Sequence, residues 1–143
     1  MKKTHLLIVI AYLSHLAAWF LPVEKYGDTF PTYLPGWEAF RVAASAVWPY
    51  DGFKTEAWYN GVPGTMSAVT TVLFVLGSGW VLAIPSRRLR RASAWIAACA
   101  FIVNAQWVLA ERSDLRIGYF LWWASFLLLA IGLFRLSHAT ESR

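Results

Sequence analysis

Apolar residues in this chain come in four long runs, separated by polar stretches of very unequal length. Leu6 to Leu21 is the first run and ends at Pro22; Thr65 to Ile84 is the second and ends at Pro85; Ala92 to Ala110 and Ile117 to Phe134 follow. The last three hold 18 to 20 residues each, enough for a helix to cross a hydrocarbon core of about 30 Å with little tilt. The first, at roughly 1.5 Å per residue, reaches about 24 Å, and Lys2 and Lys3 can extend it by snorkelling. The pattern predicts an all-α, four-span transmembrane bundle forming one domain over 1–143, with spans near 6–21, 65–84, 92–110 and 117–134. A cleaved signal peptide is the rival reading of the first run, but Ala-Ala-Trp-Phe-Leu-Pro lacks the small residues of a cleavage site.

The segment 22–64 breaks the pattern. It is rich in proline and in aromatics, and so many large apolar side chains argue against disorder. Trp37, Phe40, Ala44 and Val47 recur at helical spacing, so a short amphipathic helix is expected over Gly36 to Val47, with further helical turns over Asp51 to Asn60. Such Trp- and Tyr-rich pieces suit a membrane–water boundary, and the segment is expected to lie as a lid on the outer ends of the bundle.

Charge then orients the spans. Pro85-Ser86-Arg87-Arg88-Leu89-Arg90-Arg91 is a short basic turn between two apolar runs, and short basic loops stay in the cytoplasm. With both termini on that side, the inner segments hold Lys2, Lys3, Arg87, Arg88, Arg90, Arg91, Arg135 and Arg143, while the outer ones hold Lys25, Arg41, Lys54, Arg112 and Arg116. The expected location is a bacterial cytoplasmic membrane. Arg87, Arg88, Arg90 and Arg91 are expected to contact anionic lipid. The remaining outer charges, Glu38, Asp51, Glu56, Glu111 and Asp114, together with Arg41, Lys54, Arg112 and Arg116, read as a solvated face or as a site for a headgroup or partner.

Composition excludes several classes. The net charge of +5 flanks apolar runs and lines no polar face, so nucleic acid is not an expected partner. A single Cys99 excludes a disulfide framework and any CxxC redox pair. No HExxH motif, phosphate loop or clustered carboxylates occur within the spans, so neither metal nor cofactor nor catalytic residues are assigned. In size the chain resembles small four-span drug exporters, but its first span has no carboxylate of the kind they use. Its first outer loop resembles that of claudin-like proteins in length and aromatic content and lacks their cysteine pair.

Small residues form a seam on each run: Ala11, Ser14, His15 and Ala18; Ser67, Thr70, Thr71, Gly77 and Ser78; Ser93, Ala97, Ala100 and Asn104; Gly118, Ser125 and Gly132. Helices in lipid associate through such packing and through polar contacts. His15, Thr71 and Asn104 all fall roughly 9–10 Å from the outer boundary at the helical rise. Gln106 is expected on another face, with Trp95, Cys99 and Ile102. His15, Trp37, Thr70, Thr71, Asn104 and Trp122 are therefore the expected ligand-binding set: a polar layer reaching the underside of the lid near Trp37. The first functional expectation is a non-enzymatic accessory, immunity-type or assembly component acting through its outer face on a protein partner. The second is a binder or carrier of a lipid or small amphiphile in the polar layer; the third is a membrane enzyme.

Overall fold

The computed structural model describes residues 2–26, 32–48, 58–84, 86–110 and 112–139. In chain order the elements are α1 (Lys2–Phe20), β1 (Pro22–Tyr26), β2 (Thr32–Pro35), α2 (Gly36–Ala43), α3 (Trp58–Ala83), α4 (Arg87–Asn104), α5 (Gln106–Ala110) and α6 (Ile117–Ala139). The chain is mostly helical. By length and composition, three helices can cross a membrane, over Gly61–Val81, Arg87–Ala110 and Ile117–His138; Thr4–Phe20 is an apolar helix of shorter length.

α6 packs along both α1 and α4, and α3 packs on α4. The α1–α6 seam is antiparallel and advances in steps of seven: Ile8 lies against Gly132, His15 against Ser125, and Leu21–Pro22 against Gly118. A Cβ at Gly118 would sit 2.7 Å from the Pro22 carbonyl oxygen, so only glycine permits that backbone approach. Ser125 and Gly132 of the expected fourth-run seam thus face α1, while Gly118 lies against the Leu21–Pro22 link just beyond it. α3 closes the bundle by inserting Phe74, which is 2% exposed, edge-on to Tyr12 and stacked on His15. The core continues through Ala97, Ala100, Phe126, Leu129 and Leu133.

The connection after α1 corrects the all-α expectation. β1 and β2 pair antiparallel, with an irregularity between Pro22 and Glu24. The turn before α6 extends this hairpin: Lys25 N–H donates to the Asp114 carbonyl and Arg116 N–H to the Val23 carbonyl, each at 2.8 Å. Pro22 and Pro35 sit at strand ends, where a missing N–H costs no ladder bond. β2 leads directly into α2, whose Gly36 lies against the Ala18–Trp19 backbone of α1. Phe40 packs on Trp19 at 5.4 Å and Ala43 approaches Gly64. Hairpin and α2 therefore cap the end of the bundle to which α1 runs.

Three further boundaries differ from expectation. α2 stops at Ala43 rather than Val47, and of its expected stripe Ala44 is buried while Trp37 and Val47 are 47% and 72% exposed. α3 begins at Trp58 and carries Pro63 in its second turn, which removes the N–H that would bond the Tyr59 carbonyl; the next residue, Gly64, lies close against Ala43. The third run divides at Ala105 into α4 and α5. Of the turns expected over Asp51 to Asn60, residues 51–57 lie outside the described residues.

Candidate functional site

Polar side chains from α1, α3, α4, α5 and α6 form one connected layer, built from α3 outward. Ser67 sits one turn before Thr70 and Thr71, so both hydroxyls donate back to its carbonyl, at 2.9 and 3.0 Å. The Ser67 hydroxyl donates to Asn104 Oδ1 at 2.6 Å and accepts from the indole N–H of Trp107 at 2.9 Å. Asn104 Nδ2 donates to Thr70 Oγ1 at 3.0 Å and to its own helix at the Ala100 carbonyl, 2.8 Å away. Asn104 is completely buried, and all three of its side-chain bonds are made to α3 or α4.

The break at Ala105 belongs to this layer. Ala105 N–H bonds to Ile102 and Val108 N–H to Ala105, both in the tighter i−3 pattern. The carbonyls of Phe101 and Asn104 are thereby released from the i−4 ladder. α6 supplies their donors: Trp123 Nε1–H reaches the Phe101 carbonyl at 2.7 Å, and the Tyr119 hydroxyl bonds to that of Asn104. A freed carbonyl in hydrocarbon would otherwise cost several kcal/mol, so the aromatic donors make the break possible. Trp123 also stacks on Phe101 at 4.5 Å.

Trp122 joins the two halves of the layer. Its indole N–H donates to Thr71 Oγ1 at 3.0 Å, and its carbonyl accepts the Ser125 hydroxyl at 2.5 Å. Because Ser125 spends its single proton there, its oxygen must accept from His15 Nδ1, 3.0 Å away. That bond assigns the Nδ1–H tautomer and leaves Nε2 as a lone-pair acceptor. His15 is 3% exposed, its ring stacked on Phe74 at 4.0 Å, and Nε2 has no partner among the described residues.

Of the residues singled out by sequence, His15, Thr70, Thr71, Asn104 and Trp122 are thus linked through hydrogen bonds. His15 and Asn104 do not bond directly; Ser125, Trp122, Thr71 and Ser67 lie between them. Trp37 is not part of the layer, since it stands on the cap with no described hydrogen bond or ring contact. Sequence reading missed Trp107, Tyr119 and Trp123 as donors; their spacing is also that of lipid-facing aromatics, and the carbonyls they serve become free only through the break. Gln106 is half-buried, its Nε2 without a partner among the described residues, next to exposed Ile102 and Leu109.

On the cap, Tyr33, Trp37, Val47 and Trp48 are each about half or more exposed. The Arg41 guanidinium lies 3.7 Å over the Trp48 ring and donates to the Trp48 carbonyl; Arg116 donates to the Ser113 and Leu115 carbonyls and faces the Tyr33 ring. These cations hold loop carbonyls and aromatic faces. Asp51, Lys54, Glu56 and Glu111 lie outside the described residues. At the opposite end, Ser86 caps α4 by accepting from Leu89 N–H; Arg87, Arg88 and Arg91 are exposed and Arg90 is half-buried.

Among the described residues no group of His, Cys, Asp and Glu could hold a metal ion. No protein-family model matches the chain, and neither a curated protein nor a solved structure shows significant similarity to it.

Proposed function

We propose that this is a four-span integral membrane protein of the non-enzymatic, accessory type, which works by engaging a protein partner through the hairpin–α2 cap. Support for the fourth span comes from α1, which lies along α6 past Gly132 and Ser125, its chain continuing through Leu21–Pro22 to Gly118. It therefore covers the same depth as a helix that can itself cross. Lysines at its start can supply the remaining length.

The observation carrying the reading is the way polar groups are used. Within the bundle nearly every hydrogen-bonding group is committed to another, which leaves little for chemistry. On the cap, by contrast, Tyr33, Trp37 and Trp48 stand out from the body on short, well-anchored elements. Tyr and Trp are the residues that supply most binding energy at protein interfaces. A photocrosslinking amino acid placed at Trp37 or Trp48 in the full chain, expressed in membranes, is expected to yield a discrete protein adduct. The same probe at lipid-facing Ile102 should yield lipid alone. Lipid adducts from all three positions would end the proposal.

Orientation has its own test. The positive-inside count puts the Arg87–Arg91 turn in the cytoplasm and the cap outside. In a Cys99→Ser background, an impermeant maleimide added to intact cells is expected to label Glu38→Cys and to miss Ser86→Cys until the membrane is permeabilised. The reverse pattern would invert the topology.

A further inference from the structure

A crevice of about 70 Å³ runs between α3, α4 and α6, several times the ~10–15 Å³ that holds one water on the same measure. Its walls are almost wholly apolar, and it extends from Thr70 and Ala100 down to Gly77 and Ser93. The small residues at its lower end hold the two helices apart from any large side chain; nothing lies within 4 Å of where a Cβ on Gly77 would stand. Leu73 and Ile96, on its rim, are 47% and 51% exposed, so the crevice opens sideways. With α3 and α4 crossing a bilayer, on which this inference rests, that opening faces acyl chains.

The crevice points toward the basic turn. Arg90 lies seven residues before Ala97 and three before Ser93, on the crevice-lining face of α4 and about one turn below its end. It is half-buried, and its Nε is shielded from solvent without a hydrogen-bond partner among the described residues. The sequence has no acid from residue 57 to residue 110, so the turn has no counter-ion of its own nearby in the chain. A lone apolar crevice in a bilayer would take any acyl chain; an arginine one turn beyond its Ser93 end, on the same face of α4, selects a headgroup as well. We propose that the α3–α4 face binds one anionic phospholipid. Its phosphodiester is held at Arg90, and one acyl chain is laid in the crevice along Gly77, Ser93, Ala97 and Ala100. Arg's planar fork suits a phosphate better than a point charge does.

The test uses the full chain, purified in mild detergent, stripped of lipid and titrated with phosphatidylglycerol or phosphatidylcholine in mixed micelles, with bound lipid counted by native mass spectrometry. Wild type is expected to hold one phosphatidylglycerol at least tenfold more tightly than phosphatidylcholine. Arg90→Gln should reduce that preference to within threefold, while Arg88→Gln, on the exposed side of the turn, should leave it above fivefold. Gly77→Leu, which fills open space, should weaken both lipids about equally. Circular dichroism and resistance of the membrane-bound protein to alkaline extraction report folding and insertion separately, so a chain that is inserted yet fails to discriminate rejects the lipid site alone. Equal loss from Arg88→Gln and Arg90→Gln would mean general attraction to a basic surface and overturn the proposal, as would undiminished binding to Gly77→Leu.

Discussion

Ser125→Leu is expected to lower the midpoint of thermal unfolding in detergent by about 10 °C or more, whereas Leu127→Ala should shift it by only a few degrees. Ser125 is fully buried at the middle of the α1–α6 seam, midway between two glycines that bring the helices into close approach. Two extra heavy atoms there have no space to enter, and overpacking of this kind costs about 1–3 kcal/mol. The substitution also removes the oxygen that accepts from His15, orphaning an imidazole N–H beside Phe74. Together these effects should reach about 3–5 kcal/mol. Ser125→Ala separates them: it removes the hydrogen bond without the clash and should cost about 1 kcal/mol. Leu127 is 39% exposed on the other side of α6, so truncating it leaves the seam intact. Equal midpoints for Ser125→Leu and Leu127→Ala would show that α6 packs through another face.

The same contrast explains what the sequence made legible. A helix exposed to lipid is apolar on its outer face as well, so hydrophobic periodicity carries little information about which face packs. Small and polar residues carry it instead. Ala11, His15 and Ala18, Ala97, Ala100 and Asn104, and Gly118, Ser125 and Gly132 are all buried, and each was marked by residue type and spacing alone. The cap was less legible because its structure is tertiary. The hairpin is completed by backbone bonds from residues 114–116, far away in sequence, and nothing in Pro22 to Pro35 announces that partner. The break at Ala105 was hidden for a related reason. Ile102 to Val108 contains neither Gly nor Pro, and the cause lies in donors that α6 brings to the released carbonyls. The expected reach from the layer to Trp37 is not made: Trp37 is turned outward, half-buried Phe40 packs on Trp19, and Ala44, just after α2, is the buried residue.

Whether the layer is only structural can be decided by comparing its two ends. Asn104→Ala removes three side-chain hydrogen bonds from a fully buried position and leaves the Ser67 hydroxyl without its acceptor. At about 0.6–1.7 kcal/mol per bond in a membrane protein, the expected loss is about 2–4 kcal/mol. Adding Ser67→Ala to that variant should cost much less than Ser67→Ala alone, because the pair shares one bond and neighbours in a network are not additive. His15→Ala removes one hydrogen bond and the ring stacked on Phe74, and should cost a comparable amount through the cavity it leaves. Neither residue touches the cap, so both variants should retain the partner adduct formed from Trp48 in proportion to the protein that remains folded and inserted. Loss of that adduct by a well-folded His15→Ala chain, with Asn104→Ala unaffected, would instead assign a working role to His15. The layer would then be more than the tie between helices that its hydrogen bonds describe.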